Sequence, residues 1–214
     1  GLNNNLLAYE LSPGVTLLEE SLCKWFAKKI GFNDAAGGIA ASGGTLSNLN
    51  ALIAARNNAG LGSNPNSVLL ISEDAHSSFI KCIRIMGLDA ANLVRIKTDN
   101  QGRMDVNNLR KSLDKCLIEN KKIFAIVATL GTTVRGAIDP IKEISEICKE
   151  RNIWLHIDGS IGGIFAISSI QIEGLNNINQ ANSITINPQK IIGITKTSSL
   201  LLVSNIKTLE KTFS

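Results

Sequence analysis

The 214-residue sequence predicts an α/β fold with a mostly parallel sheet and helices on both faces. Three observations carry this. From Asn66 onward, short runs rich in Ile and Val alternate with helix-period segments, the alternation that builds parallel sheets. The runs are apolar throughout, as strands buried on both faces are. The composition, 44% hydrophobic and 19% charged with only 4 Pro, supplies a core and excludes a disordered or Pro-rich chain. One large domain is expected at this length, without internal repeats.

The elements follow in order. Val15 to Ile30 forms an amphipathic helix after Ser12-Pro13-Gly14, with no strand before it. A short helix is expected over Leu49 to Arg56. The strands are Ser67 to Ile71, Leu93 to Ile96, Ile123 to Thr129, Ile153 to Asp158, Ser183 to Ile186 and Ser198 to Val203. Between them, Ser77 to Met86 and Val106 to Ile118 are helix patterns, the second with Leu109, Leu113 and Leu117 on one stripe. Asp139-Pro140 is an N-cap followed by Pro at the first helical position, opening a helix that runs to about Arg151. Asn-rich patches at Asn3 to Asn5 and Asn176 to Asn179 are expected on surface loops. In such a sheet, ligands bind at the carboxyl ends of the strands.

Charge and cysteine usage narrow the class. The net charge is +4 with 4% aromatic residues and no basic run interleaved with them, which disfavours nucleic acid and leaves a weakly positive field suited to a phosphorylated ligand. No apolar run reaches the roughly 20 residues that span a bilayer, because Lys196, Thr197 and two serines break Ile191 to Val203. Cys23, Cys82, Cys116 and Cys148 stand far apart, without C-x-x-C or zinc spacing, so neither a disulfide framework nor a metal site is expected. A reducing, cytoplasmic setting fits best. The first residue is Gly rather than Met, so the true start is expected to lie upstream.

Four segments carry potential chemistry. In Ser42-Gly43-Gly44-Thr45-Leu46-Ser47-Asn48, two glycines ahead of a helix let backbone N–H groups approach an anion, and Thr45 adds a hydroxyl. The same pattern also suits an ordinary capped helix start. Gly38 to Thr45 nearly spells a Walker A loop, but Gly44 stands where that loop needs Lys, which argues against nucleotide hydrolysis. His76 follows a strand at the expected ligand edge, where it either meets a ligand or hydrogen-bonds to a helix start. Asp158 closes a strand of apolar residues and needs a cation or hydrogen-bond donors. His156 shares its face by strand period and is expected to be a core imidazole satisfied by its neighbours. Lys190 follows a strand and Pro188; by its segment alone it reads as a surface lysine, the alternative being an amine partly desolvated by the apolar run Ile191 to Ile194 and so freed as a nucleophile. An anion cradle, an imidazole, a carboxylate and an amine at carboxyl edges together match what pyridoxal phosphate requires.

The ordered segments Ser42 to Asn48, Ala75-His76-Ser77-Ser78, Thr129-Leu130-Gly131-Thr132-Thr133, His156-Ile157-Asp158 and Asn187-Pro188-Gln189-Lys190 closely resemble the group II pyridoxal-phosphate-dependent amino acid decarboxylases, from about Leu11 to Val203. That resemblance implies the large domain of the aspartate aminotransferase type (fold type I), over residues 1–214. It also implies pyridoxal 5'-phosphate as cofactor, an amino acid as small-molecule substrate and a homodimer in the full-length protein. By position, Lys190 would form the Schiff base, Asp158 pair with the ring nitrogen and His76 stack on the ring. Gly43, Gly44 and Thr45 would hold the phosphate with Asn187 nearby, and Thr132 would line the site beside His76. The reaction implied is loss of carbon dioxide from an L-amino acid.

Three departures from the family pattern stand out. Gln189 replaces the usual His before the lysine and leaves that phosphate-side contact neutral. Gly159-Ser160 replaces Ala-Ala, so Ser160 brings a hydroxyl under the ring. Family members are also much longer, and the only Tyr, Tyr9, lies upstream of the core, so the reprotonating Tyr of the family has no counterpart here. The chain therefore reads as an internal fragment, lacking an N-terminal segment and a C-terminal small domain, and is expected to be poorly active alone. Another fold type I enzyme, an aminotransferase or aldolase-type lyase, and a non-catalytic cofactor-binding pseudoenzyme are the alternatives.

Overall fold

A computed structural model describes residues 9–196 and 198–213; the Asn3 to Asn5 patch lies outside them. Among these residues the elements run α1 (Pro13–Lys29), β1 (Gly37–Ala41), α2 (Gly44–Asn58), β2 (Ser67–Ser72), α3 (Ser78–Ile85), β3 (Leu93–Ile96), α4 (Val106–Ile118), β4 (Lys122–Thr129), α5 (Ile141–Arg151), β5 (Trp154–Gly159), β6 (Ser183–Ile186), α6 (Pro188–Ile191), β7 (Ser199–Val203) and α7 (Lys207–Phe213). The strands form one sheet in the order β1-β7-β6-β5-β4-β2-β3. Only β7 runs against its neighbours, so β1 and β2 to β6 all point the same way and their carboxyl ends share one edge.

Alternation along each strand divides two cores. Val68, Leu70, Ile126, Leu155 and Ile157 face one side, under α1, α4 and α5. Leu69, Ile71, Ala125 and Val127 face the other, under α2 and α3, while Leu201 and Val203 continue that side under α2 and α7. Each Val, Leu or Ile side chain buried in this way contributes roughly 1.5–3 kcal/mol relative to exposure. No helix among the described residues is long and apolar enough to cross a membrane.

The expected strands and helices form with shifts of a residue or two; helices α6 and α7 are additions to them, and four other features differ. Strand β1 was not expected: Gly37-Gly38-Ile39-Ala40-Ala41 holds a single β-branched residue, and it becomes a strand by pairing with β7 from Gly37↔Val203 to Ala41↔Ser199. Helix α2 begins at Gly44, five residues before Leu49, which places the Gly-rich segment in its first turn. The Asn176 to Asn179 patch lies in a 3-10 helix over Leu175–Gln180 rather than a loop.

The fourth difference is Asp139. It does not cap α5, whose N-cap position is Pro140. Its carboxylate turns inward, 1% exposed, and accepts from Met104 N (2.7 Å) through Oδ1 and from Thr129 N (2.7 Å) through Oδ2. Its own N–H donates to Thr129 O at 3.0 Å, which ties the loop after β4 back to the strand. Burial pushes this carboxyl up from 3.8 to about 6, against the pull of the two backbone donors and with some repulsion from Asp74 and Asp99.

Replacing Asp139 with Asn leaves one oxygen to serve two buried donors, so Asp139→Asn is expected to destabilise the full-length protein by roughly 1–3 kcal/mol in urea unfolding. The pH trend has a fixed sign. The folded carboxyl binds its proton more tightly than the unfolded one, so its contribution is fully present below pH 3.8 and lost as pH rises through about 6. The stability difference between wild type and variant should therefore shrink across that window and stay constant above it.

Candidate active site

Six strands end at one edge, and the loops after five of them converge there. They surround a cleft of about 540 Å³ lined by Ser42 to Leu46 after β1, His76 after β2, Thr129 and Gly131 to Thr133 around the end of β4, Asp158 and Ser160 from the end of β5, and Asn187, Gln189 and Lys190 after β6. All ten residues singled out in the sequence, Gly43, Gly44, Thr45, His76, Thr132, Asp158, Ser160, Asn187, Gln189 and Lys190, line this one cleft.

The cradle is built by backbone. Gly43 adopts φ +148°, a conformation that L side chains rarely take, and α2 starts on the next residue. In the first turn, Leu46 N and Ser47 N donate back to Gly43 O, while the N–H groups of Gly44 and Thr45 precede any intrahelical acceptor. The wall opposite is Asn187, 3% exposed, whose Oδ1 accepts from Ser199 Oγ. A Cβ on Gly44 would stand 2.6 Å from Asn187 Nδ2 and 3.0 Å from Ser160 Oγ. A side chain there would push the Asn187 amide or the Ser160 hydroxyl aside, and free N–H groups at a helix start suit an anion.

Asp158 sits at the floor, 5% exposed, on the α2 side of the sheet. Its Oδ2 accepts from Asn48 Nδ2 (3.2 Å) and its Oδ1 from Ser160 N (3.1 Å). The need for donors inferred from its place on an apolar strand is thus met by an amide and a backbone N–H, with the cleft on its open side. His156 is a fully buried imidazole, as expected, between Ser183 Oγ (2.8 Å) and Asn48 Oδ1 (3.0 Å). Burial pushes it down from 6.5 to about 4, in spite of the nearby Asp158.

At the rim, His76 is exposed and its Nδ1 accepts from Ser78 N (3.1 Å), so the backbone contact and the cleft position coexist. Thr132 is buried, and its Oγ1 accepts from Ala137 N (3.0 Å) within its own loop. Gln189 Oε1 accepts from Ser198 N (2.8 Å), joining the lysine turn to the start of β7. Of the two readings of Lys190, the structure shows the surface lysine. It is exposed, because Ile191, Ile192 and Ile194 are themselves about half exposed and shield nothing.

Sequence reasoning missed two contributors. Asn48 was read only as the end of the glycine segment, yet one turn after Gly44 it reaches both Asp158 and His156. Its signal was an amide on a helix whose next residues are Leu49, Ala51 and Leu52. Thr129 pairs in register with Asp158 and lines the cleft with a buried hydroxyl that has no protein partner.

These groups fit pyridoxal phosphate: a glycine cradle at a helix start, a buried carboxylate, an amine on the facing loop and an orphaned hydroxyl between them. The pyridoxal-dependent decarboxylase conserved domain matches residues 1–214, the whole chain. The chain belongs to the pyridoxal-dependent decarboxylase family. Its cofactor is pyridoxal 5'-phosphate, and its fold is that of the aspartate aminotransferase type.

Relatives of this decarboxylase domain include an L-aspartate decarboxylase, dtxS4, of Metarhizium robertsii (34% identical, covering 96% of this chain and 42% of the relative). Another is an aromatic-L-amino-acid decarboxylase of Bacillus atrophaeus (32%, covering 100% and 44%). Among solved structures, mouse CSAD superposes with a TM-score of 0.92 at 30% identity, covering 99% of this chain and 45% of that one. The chain thus spans less than half the length of the proteins it matches.

Gly44→Ala tests the cradle. Overpacking of this kind costs roughly 1–3 kcal/mol, so the variant should bind pyridoxal phosphate about tenfold more weakly in an absorbance titration while its far-UV circular dichroism stays unchanged. Unaltered affinity would show that the cradle lies elsewhere.

Proposed function

We propose that the full-length protein removes the carboxylate of an L-amino acid as carbon dioxide and releases the amine, with residues 1–214 as its cofactor-binding large domain. The observation that carries this is the placing of Asp158 and Lys190 around one cleft whose far wall is the Gly43-Gly44 cradle. When bound, pyridoxal phosphate supplies an electron sink for the pair left at the α-carbon.

The residues of the chain do the rest. The first-turn N–H groups of α2, with Thr45 and Asn187, hold the phosphate. Asp158, held by the Asn48 amide and the Ser160 N–H, would face the ring nitrogen and stabilise a proton there. His76 would cover the ring from the rim, with Thr132 and Ser160 lining the same cleft. Lys190, on the loop after β6, would be the amine that holds the cofactor's aldehyde. Gln189, neutral and tied to Ser198, sets the angle of the lysine turn rather than adding charge beside the phosphate.

The named activities of the relatives differ, aspartate in one and aromatic amino acids in another, at nearly equal identity. They support the reaction class and leave the side chain of the substrate open. A homodimer in the cytoplasm is part of the same proposal, supported by the family pattern and by four cysteines that are all free and buried.

The test uses the full-length protein. Borohydride reduction in the presence of pyridoxal phosphate should label the Lys190 peptide, and carboxyl-labelled amino acids should release labelled carbon dioxide. Lys190→Ala should lose both. Keto acid formation in place of carbon dioxide would point to an aminotransferase, and a label on another lysine would overturn the role given to Lys190.

A further inference from the structure

Asp158 is the end of a buried hydrogen-bond chain that runs through the sheet beneath α2. Trp154 Nε1 donates to Ser183 Oγ (2.8 Å), Ser183 Oγ lies 2.8 Å from His156 Nδ1, His156 Nε2 lies 3.0 Å from Asn48 Oδ1, and Asn48 Nδ2 donates to Asp158 Oδ2 (3.2 Å). Ser183, His156 and Asn48 are 0–2% exposed, so water does not compete for these links.

The carboxylate end sets the direction of the links. A carboxylate only accepts, so the Asn48 amide turns its NH2 toward Asp158 and its Oδ1 toward His156, which donates from Nε2. In a neutral imidazole Nδ1 then carries no hydrogen and accepts from Ser183 Oγ, which itself receives the indole N–H. The depressed titration of His156, to about 4, agrees with a neutral imidazole carrying one proton. Reversing any one link would set donor against donor or acceptor against acceptor.

We propose that Asn48 and His156 are positioning residues that hold the Asp158 carboxylate in register with the ring nitrogen of the cofactor. This rests on the reading of Asp158 as the ring-nitrogen partner. Geometry gives the chain its importance. The register neighbours of Asp158 on β4 and β6 are Thr129 and Thr185, and the hydroxyls of both are buried without a protein partner. Side-chain support for the carboxylate thus comes from Asn48, with only the Ser160 N–H besides. His156 makes that support directional by preventing the Asn48 amide from turning over.

The experiment compares two ligands on the full-length protein: pyridoxal phosphate, and its analogue with a ring C–H in place of the ring nitrogen. Wild type should bind pyridoxal phosphate more tightly than the analogue. Asn48→Leu should reduce that preference by about tenfold or more, the factor that one hydrogen bond to a charged group represents. His156→Leu should reduce it in the same sense, and His156→Gln, whose side-chain N–H can stand near the former Nε2, should restore most of it. A merely structural role would weaken both ligands equally and leave the preference intact; that result in a folded His156→Leu protein overturns the inference while sparing the role of Asp158. No preference in wild type would overturn the role of Asp158 and the inference with it. Imidazole 15N shifts of wild type give a second reading that needs no variant except for assignment: Nε2–H at neutral pH is expected, and an Nδ1–H tautomer contradicts the chain.

Discussion

A carboxylate at the end of a strand buried on both faces is the constraint on which the site depends. Left without donors, Asp158 would cost several kcal/mol to bury as a charge. The sequence meets this by turning one patch of an apolar sheet face polar: His156, Ser183, Thr185 and Ser199 lie on the side where neighbouring strands present Leu69, Ile71 and Val127. Helix α2 then covers the patch with Ser47 and Asn48, and Ser47 Oγ meets Ser199 Oγ at 2.7 Å. The helix that starts as the cradle, at Gly44, therefore carries the support for Asp158 one turn further on, so cradle and carboxylate are spaced by a single rigid element.

Chain direction does the remaining assembly. With β7 the one strand reversed, β1 delivers Gly43 and Gly44 to the same edge as β4, β5 and β6 deliver Thr129, Asp158 and Asn187. Had β1 run the other way, the glycine segment would open at the far end of the sheet. The loop after β4 is held by the inward-turned Asp139, whose two bonds to backbone N–H groups fix the approach of Thr129 and Thr132 to the cleft.

Much of this was legible in the residues because buried strands announce themselves by continuous Ile and Val, and functional groups follow directly after them. The strand Ser183–Ile186 and the helix Val106–Ile118 stand at the boundaries their patterns predict. Strand β1 was not legible, since its residues favour a strand only once β7 lies beside them. Asp139 misled for a related reason: Asp before Pro is a good capping pattern locally, but two unpaired backbone N–H groups from distant segments compete for the carboxylate and win. Lys190 lines the same cleft with an exposed amine, the surface reading its segment alone favours, because the isoleucines after it turn outward. Asn48 escaped notice because its partners are more than a hundred residues away in sequence, and no local pattern records such a pairing.

The most direct test of the central claim is a crystal structure of the full-length protein with pyridoxal phosphate bound. The account predicts the Asp158 carboxylate at hydrogen-bond distance from the ring nitrogen, about 2.7–3.0 Å, with Asn48 Nδ2 still on Oδ2 and the Lys190 amine joined to the aldehyde carbon. A ring nitrogen facing solvent, with Asp158 engaged only by Asn48 and Ser160, would contradict it.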